Sequence, residues 1–262
     1  GLAFANTGPS VILAYFFAGV LAVSGTFSIV ELTTALPKAG GDYFVISTSF
    51  GPFIGTISGL FSWLAISLKS AFAIFGIAEL LFLFFGTPVF ISALFLTLFF
   101  TMLNIRGTKE VTTIEVFLVL CLFTLLAGFV FFSIHDASPS RFSPFITHGW
   151  NRIFSTAGLI FISFGGLLNI SSIAEEIKAP KKTIPLALLS SVLCITVLYT
   201  VILFVVVGVM PSQELAQSLT PIADCAKRTL GSFGFYTITV ASLLAFITTA
   251  LAGLMSASRY LV

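Results

Sequence analysis

Long apolar runs alternate with short polar, glycine- and proline-containing stretches along this sequence of 262 residues. A run of about 18 or more residues with few charges is long enough to cross the hydrocarbon core of a bilayer as a helix. The pattern therefore predicts about seven membrane-spanning helices in one transmembrane domain that covers residues 1–262. They lie at about residues 10–33, 52–85, 89–103, 111–134, 151–173, 184–209 and 233–262.

The segments at the edges of these runs carry weaker signals. Residues 43–50 are predicted to form a short interfacial helix, and residues 210–231 a polar, amphipathic helix outside the bilayer. Pro185 suits the first turn of the helix predicted at 184–209. Glu115 lies near the start of the span at 111–134, where a carboxylate favours the helix dipole, and no chemistry is expected from it.

Composition supports a membrane protein and excludes several other classes. The chain is 58% hydrophobic and 8% charged, whereas a soluble domain has about 25% charged residues. The net charge of +2 comes without a basic cluster interleaved with aromatics, so no nucleic-acid partner is expected. The cysteines and histidines have no metal-ligand spacing, and no nucleophile motif accompanies them. We therefore expect a lipid bilayer around the chain, and no enzyme activity, metal or cofactor.

The span at 151–173 contains Gly165-Gly166 near its middle, and Asn169 follows almost at once. Glycine in an ordinary helix costs about 1 kcal/mol per residue relative to alanine. In hydrocarbon a broken helix persists only where it is buried in protein or lines a cavity, because its free backbone groups need partners. The pattern predicts a discontinuous helix, which is typical of a transporter's substrate site. The alternative interpretation is close helix packing through small residues.

Three motifs occur in a fixed order along the chain. The first runs from Glu31 to Tyr43 (ELTTALPKAGGDY), the second from Asn104 to Gly107 (NIRG), and the third from Phe161 to Pro180 with its Phe-Gly-Gly and Ala-Glu-Glu elements. They resemble the link between helices two and three, the segment before helix five, and helix six of the amino acid–polyamine–organocation (APC) transporter family. The resemblance covers essentially the whole chain.

The resemblance implies an all-α polytopic membrane protein with an inverted-repeat transporter fold. In that fold two five-helix repeats bind substrate midway, where helices one and six break. Gly8-Pro9 resembles the end of the loop that precedes the second helix. We therefore expect this chain to be an internal fragment that covers family helices two to eight and lacks the first helix.

The resemblance also implies a substrate site. Backbone carbonyls at the helix break would accept the substrate ammonium group, and nearby side chains would line the pocket. The predicted substrate-binding residues are Ile162, Phe164, Gly165, Gly166, Asn169, Ala65 and Ser70. The predicted gating residues are Phe161, Glu175 and Glu176. Without the motif, each aromatic here would be read as a lipid-facing or core residue, and each glutamate as part of a solvated loop.

Lys69 is the most unusual residue, because it lies near the middle of an apolar span. A charge inside a membrane segment usually faces a cavity and is functional, although a long side chain can also reach the interface. An amine in such a place could exchange a proton during transport. Thr248 and Thr249 fall in helix eight, where sodium-coupled members of the superfamily supply hydroxyl ligands. We therefore predict that Lys69, Thr248 and Thr249 serve coupling.

The expected function is secondary active transport of amino acids across the plasma membrane by alternating access. Proton-coupled symport is preferred because of Lys69, with sodium as the other candidate ion. Leu168 stands where many relatives carry an acidic residue associated with proton coupling, so that carboxylate is not available here. The alternatives are an amino acid exchanger, and a membrane sensor or scaffold that keeps the fold without transporting.

Overall fold

The computed structural model describes residues 1–35, 42–106, 108–168, 170 and 174–259, and this part of the chain forms helices and turns without a strand. Its α-helices are α1 (Leu2–Thr7), α2 (Val11–Ala35), α3 (Asp42–Phe50), α4 (Pro52–Phe85), α5 (Val89–Arg106), α6 (Thr108–Ser133), α7 (Gly149–Phe161), α8 (Pro180–Val209), α9 (Ser212–Gln217) and α10 (Pro221–Ser258). Short 3-10 helices lie at Gly8–Ser10, Ile134–Asp136, Pro139–Phe142, Ile162–Leu168 and Ala174–Glu176.

Five of the described stretches are long and apolar enough to cross a membrane. They are Leu2–Ala35, Pro52–Phe85, Val111–Asp136, Pro180–Val209 and Pro221–Ser258, and Val89–Ile105 is a shorter apolar helix. The predicted all-α polytopic fold is therefore confirmed. Helix α4 has 34 residues, which at the rise of an α-helix is about 51 Å, much longer than a hydrocarbon core of about 30 Å. A helix of this length must tilt or protrude.

Three helix boundaries differ from the sequence-based expectation. Helix α8 begins at Pro180, so Pro185 lies inside it rather than in its first turn. Helix α10 begins at Pro221 and is kinked at Gly231, where φ is 63°. That left-handed conformation favours glycine and explains how the polar stretch before it continues into the apolar helix. Helix α6 begins at Thr108, so Glu115 is more than one turn from its N-terminus and the dipole no longer explains it.

Two compact units can be distinguished, and each has its own core. The first comprises Gly1–Ser28, Thr124–Gly165 and Pro185–Val240. Its apolar cluster includes Phe129 of α6 and Val205 of α8, both almost fully buried. A Cβ at Gly19 would overlap the side chain of Thr196, so α2 and α8 approach closely through a glycine. The hydroxyl groups of Ser133 and Thr229 lie 2.8 Å apart and hydrogen-bond α6 to α10.

The second unit comprises Ile29–Phe123, Gly166–Ile184 and Ala241–Val262. Its apolar cluster joins Ile74 of α4, Phe100 of α5 and Leu251 of α10. Gly76 of α4 faces the ring of Phe246, and a Cβ there would come within 2.8 Å of that ring. Because a glycine lies at this contact, α4 and α10 pack closely there.

Candidate functional site

The predicted helix break coincides with a change of helix type. Helix α7 buries Ile153, Thr156, Ala157 and Ile160, a spacing that places them on one face. It ends at Phe161, and the chain continues as a 3-10 helix over Ile162–Leu168, which we call the 3-10 segment. This run has seven residues, whereas 3-10 runs longer than about four are uncommon because their hydrogen bonds are poorer. A 3-10 run of this length within a predicted span is typical of a hinge or of a strained sequence.

The backbone carbonyls of the 3-10 segment are candidates for binding an ammonium group. In a 3-10 helix each carbonyl accepts a hydrogen bond from the amide three residues on. That pattern pairs Ile162 with Gly165, and Gly165 with Leu168, in this conformation. A carbonyl oxygen keeps a second lone pair, so both groups can still accept a hydrogen bond from a ligand.

An aromatic cluster, formed by Tyr15, Phe164 and Tyr199, holds the 3-10 segment. The ring of Phe164 meets that of Tyr199 at 5.9 Å, and Tyr199 meets Tyr15 edge-to-face at 5.9 Å. Phe164 is only 6% exposed. Edge-to-face pairs add to the stabilisation that burial provides. Phe164, predicted to line the site, is thus a packed residue in this conformation.

The neighbours of Phe164 are much more accessible. Phe161 is 40% exposed and Ile162 is 77% exposed. The end of the Phe161 ring lies about 4.0 Å from the position that a Cβ on Gly25 of α2 would take. Phe161 therefore faces a glycine, which leaves its ring room to change rotamer.

Close contacts with neighbouring atoms do not require the two glycines of the 3-10 segment. A Cβ at Gly165 would meet no atom within 4 Å, and at Gly166 it would meet only Lys69 Nζ at 3.6 Å. Neither has the positive φ found at Gly8, Gly51, Gly86, Gly149 and Gly231. Alanine would fit at both positions, so close packing does not explain the glycines in this conformation.

A polar cavity of about 250 Å³ lies in the second unit, and its lining comes from α4, α6 and α10. The lining residues are Lys69, Glu115, Val119, Thr248, Thr249 and Ala252. The three residues predicted for coupling, Lys69, Thr248 and Thr249, are therefore neighbours. Lys69 is exposed rather than buried. The Thr248 hydroxyl donates to the carbonyls of Leu244 and Ala245, at 3.1 and 3.0 Å.

The two predicted pocket residues of α4 have different surroundings. Ala65 is exposed, while Ser70 is buried and donates a hydrogen bond of 3.0 Å to the carbonyl of Ile66. A Cβ at Gly253 of α10 would overlap Ser70 Oγ. In this conformation Ser70 therefore forms a helix–helix contact, and its role toward a substrate stays a prediction.

Other predicted residues lie after the 3-10 segment. Asn169 is outside the described residues. Glu175 is exposed in the short helix Ala174–Glu176, which also contains the backbone of Glu176. Ala179 follows with φ of 50°, and its carbonyl accepts hydrogen bonds from the amides of Lys182 and Thr183 at 3.0 Å each. This turn ends the motif and starts α8.

Glu115, Tyr15 and Tyr199 are not among the residues predicted from the sequence for the site. Glu115 looked like an ordinary acid near a helix start, because the start of α6 was placed too late. The tyrosines lie among many other aromatic residues in apolar helices, since the chain has 5 tyrosines and 31 phenylalanines. The spacing of side chains along one helix does not predict the contacts of these residues, because the three residues lie on three different helices.

Comparison with known proteins gives one family and several relatives. A family model described as amino acid permease matches residues 2–262. The branched-chain amino acid permease BcaP of Lactococcus lactis subsp. cremoris (strain MG1363) is 26% identical over 97% of this chain and 60% of its own length. The methylthioribose transporter of Bacillus subtilis (strain 168) is 25% identical over 80% of the chain and 50% of its own length.

A plant protein is also similar to this chain. Cationic amino acid transporter 5 of Arabidopsis thaliana is 23% identical over 97% of this chain and 48% of its own length. The chain thus spans about half to 60% of the curated relatives that it matches. Their names refer to branched-chain amino acids, cationic amino acids and methylthioribose, so the relatives differ in substrate.

Proposed function

Because this chain belongs to the amino acid permease family and forms a multi-pass integral membrane protein of the cell membrane, we propose that it is the part of a secondary transporter that carries amino acids. The observation that carries the proposal is the 3-10 segment. The span predicted at residues 151–173 changes there from α to 3-10 geometry at a pair of glycines that packing does not require. Irregular backbone inside a membrane segment is tolerated where it is buried or lines a cavity.

The 3-10 segment supports a specific mode of substrate binding. The carbonyls of Ile162 and Gly165 accept the α-ammonium group of the substrate, through the lone pairs that the helix leaves free. The glycines keep this backbone uncovered, so that the substrate approaches without meeting a side chain. Phe161, which is exposed, closes over the substrate, while Phe164 stays packed as an anchor. Ala65, Ser70 and Asn169 remain predictions as further pocket residues, and Glu175 and Glu176 as gating residues.

Transport by alternating access follows from a rearrangement of the 3-10 segment. Its hydrogen bonds are weaker than those of an α-helix, so a modest change in substrate binding energy is enough to shift its conformation. Coupling to a proton is assigned to the polar cavity, where Lys69 lies with Thr248 and Thr249. An ammonium group in this cavity disfavours a second cation, so we prefer the proton over sodium.

The test is uptake by the full-length protein in proteoliposomes, with a labelled amino acid mixture and with methylthioribose as separate substrates. Gradient-driven uptake of amino acids is expected when an inward proton gradient is applied. Gly165→Ala and Gly166→Ala should each reduce uptake by at least about tenfold, because a methyl group covers the carbonyl surface. Gly158→Ala in α7, where a Cβ also meets nothing within 4 Å, is the matched control and should transport normally.

The other outcomes distinguish the alternatives. Uptake that occurs only against preloaded amino acid would identify an exchanger and would remove the proton coupling. Uptake of methylthioribose alone would replace the substrate class. No transport by the wild type, with normal folding of both glycine variants, would favour a sensor or scaffold.

A further inference from the structure

Glu115 is the least satisfied polar group in the described part of the chain. Its Oε1 atom is buried and has no hydrogen-bond partner there. The residue lies within α6, beyond the first turn, so the helix dipole does not stabilise it. A buried acceptor without a partner is unfavourable, and its persistence in a native protein calls for an explanation.

The explanation lies in what shares the polar cavity with Glu115. Lys69 reaches the cavity from α4, and these two are the ionisable groups among the residues that line it. The remaining lining consists of two hydroxyl side chains and two apolar ones. Within the described residues Lys69 and Glu115 form no direct ion pair, and the cavity between the helices leaves room for them to approach.

The two groups differ in how exposed they are in the protein. Lys69 is exposed, whereas Glu115 is only partly accessible and its Oε1 is fully buried. The amine is therefore the more accessible of the two groups. Burial penalises a charged group more than a neutral one, and transfer of the proton from the ammonium to the carboxylate neutralises both groups in one step.

We propose that Lys69 and Glu115 form a proton relay in which Glu115 is the inner, proton-accepting member. In the transfer an N–H bond of the Lys69 ammonium breaks and an O–H bond forms on Glu115 Oε1, leaving an amine and a carboxylic acid. Release of the proton from Glu115 restores the carboxylate, and Lys69 takes its next proton from water. The net charge of the cavity is unchanged by the internal step. The relay rests on the transport function proposed above and assigns its coupling group.

The test is a double-mutant cycle in the full-length protein with two independent measurements. Lys69→Met, Glu115→Gln and the double variant are compared with the wild type in thermal unfolding and in proton-driven uptake. Each single variant leaves one uncompensated charge and should lower Tm by about 5 °C, while the double variant should recover at least half of that loss. Both single variants should lose the stimulation of uptake by the proton gradient. Glu79→Gln, an exposed acid on α4, is the control and should change neither measurement.

Two results would overturn the relay. One is a strictly additive Tm cycle, which would mean that the charges do not interact. The other is a Glu115→Gln variant with normal gradient stimulation beside a Lys69→Met variant that has lost it. Absence of any uptake by the wild type would instead defeat the transport proposal, and the relay with it, while the Tm cycle would still report whether the two charges interact.

Discussion

The aromatic cluster and the polar cavity differ in how fully their side chains are satisfied. Phe164 is 6% exposed, and its ring contacts the ring of Tyr199, which in turn contacts the ring of Tyr15. The polar cavity keeps about 250 Å³ of space, and Glu115 Oε1 has no partner among the described residues. A tightly packed region favours one conformation. A region with an unpaired buried polar atom is stabilised by a conformational change that gives this atom a hydrogen-bond partner. We therefore expect the cluster to serve stability and the cavity to serve the transport cycle.

The largest effect on stability should come from Phe164→Ala. Removing a buried phenylalanine costs about 3–5 kcal/mol of unfolding free energy, since the ring contacts and the filled volume are lost together. Phe161→Ala is the matched comparison on the same helix turn, and its loss should stay below about 1 kcal/mol because the ring is already 40% exposed. Denaturation of the purified full-length protein in detergent measures both. Equal losses of unfolding free energy would show that the two rings are packed alike, and would contradict the assignment of Phe164 as the packed ring and Phe161 as the exposed one.

The next effect concerns the contact between α4 and α10. In Gly253→Ala the new methyl group would overlap Ser70 Oγ, so we expect a loss of about 1–3 kcal/mol. Gly253→Ala combined with Ser70→Ala should recover most of it, because the nearest remaining atom, the Cβ of residue 70, lies 3.2 Å away. Gly128→Ala, in a helix position with nothing within 4 Å, should be neutral or slightly stabilising.

The double variant also separates two roles of Ser70. If Ser70 only packs against Gly253, the rescued protein should unfold like the wild type and transport normally. If Ser70 also binds substrate, stability should return while the apparent KM for uptake stays raised. A double variant no more stable than Gly253→Ala would mean that the hydroxyl is not the clashing atom.

The sequence was sufficient to predict the broad architecture and to single out Lys69, for a physical reason. Apolar runs of membrane length predict helices because the bilayer leaves few alternatives, and a lysine inside such a run stands out on composition alone. The glycine pair likewise predicted an irregular segment, which the structure describes as a 3-10 helix.

The partners of these residues could not be predicted in the same way. Glu115 meets the cavity because α6 starts at Thr108 and places this side chain toward α4 and α10, and neither boundary nor helix rotation can be read from an apolar run. Tyr199 and Phe164 are 35 positions apart, so their contact depends on how α8 packs rather than on local periodicity. Pro185 was misplaced for a related reason, since Pro180 also fits a helix start.

The smallest effect should come from the threonines of the polar cavity, and it tests whether charge or hydroxyl groups carry the coupling. The Thr248 hydroxyl already donates its proton to the carbonyls of Leu244 and Ala245. Thr248→Val keeps the shape of the side chain and removes a bond within one helix, so stability should change by less than about 1 kcal/mol.

Thr248→Val should also lower the gradient stimulation of uptake by only about twofold, the effect of one weak hydrogen bond. Thr249→Val, which alters the neighbouring hydroxyl of the same cavity, serves as its comparison. Gradient stimulation measured in proteoliposomes at fixed substrate concentration is the readout. Loss of stimulation in either threonine variant as complete as in Lys69→Met would move the coupling site from the two charged groups to the hydroxyls of α10. A small effect in both threonine variants would support Lys69 and Glu115 as the groups that bind the coupling proton.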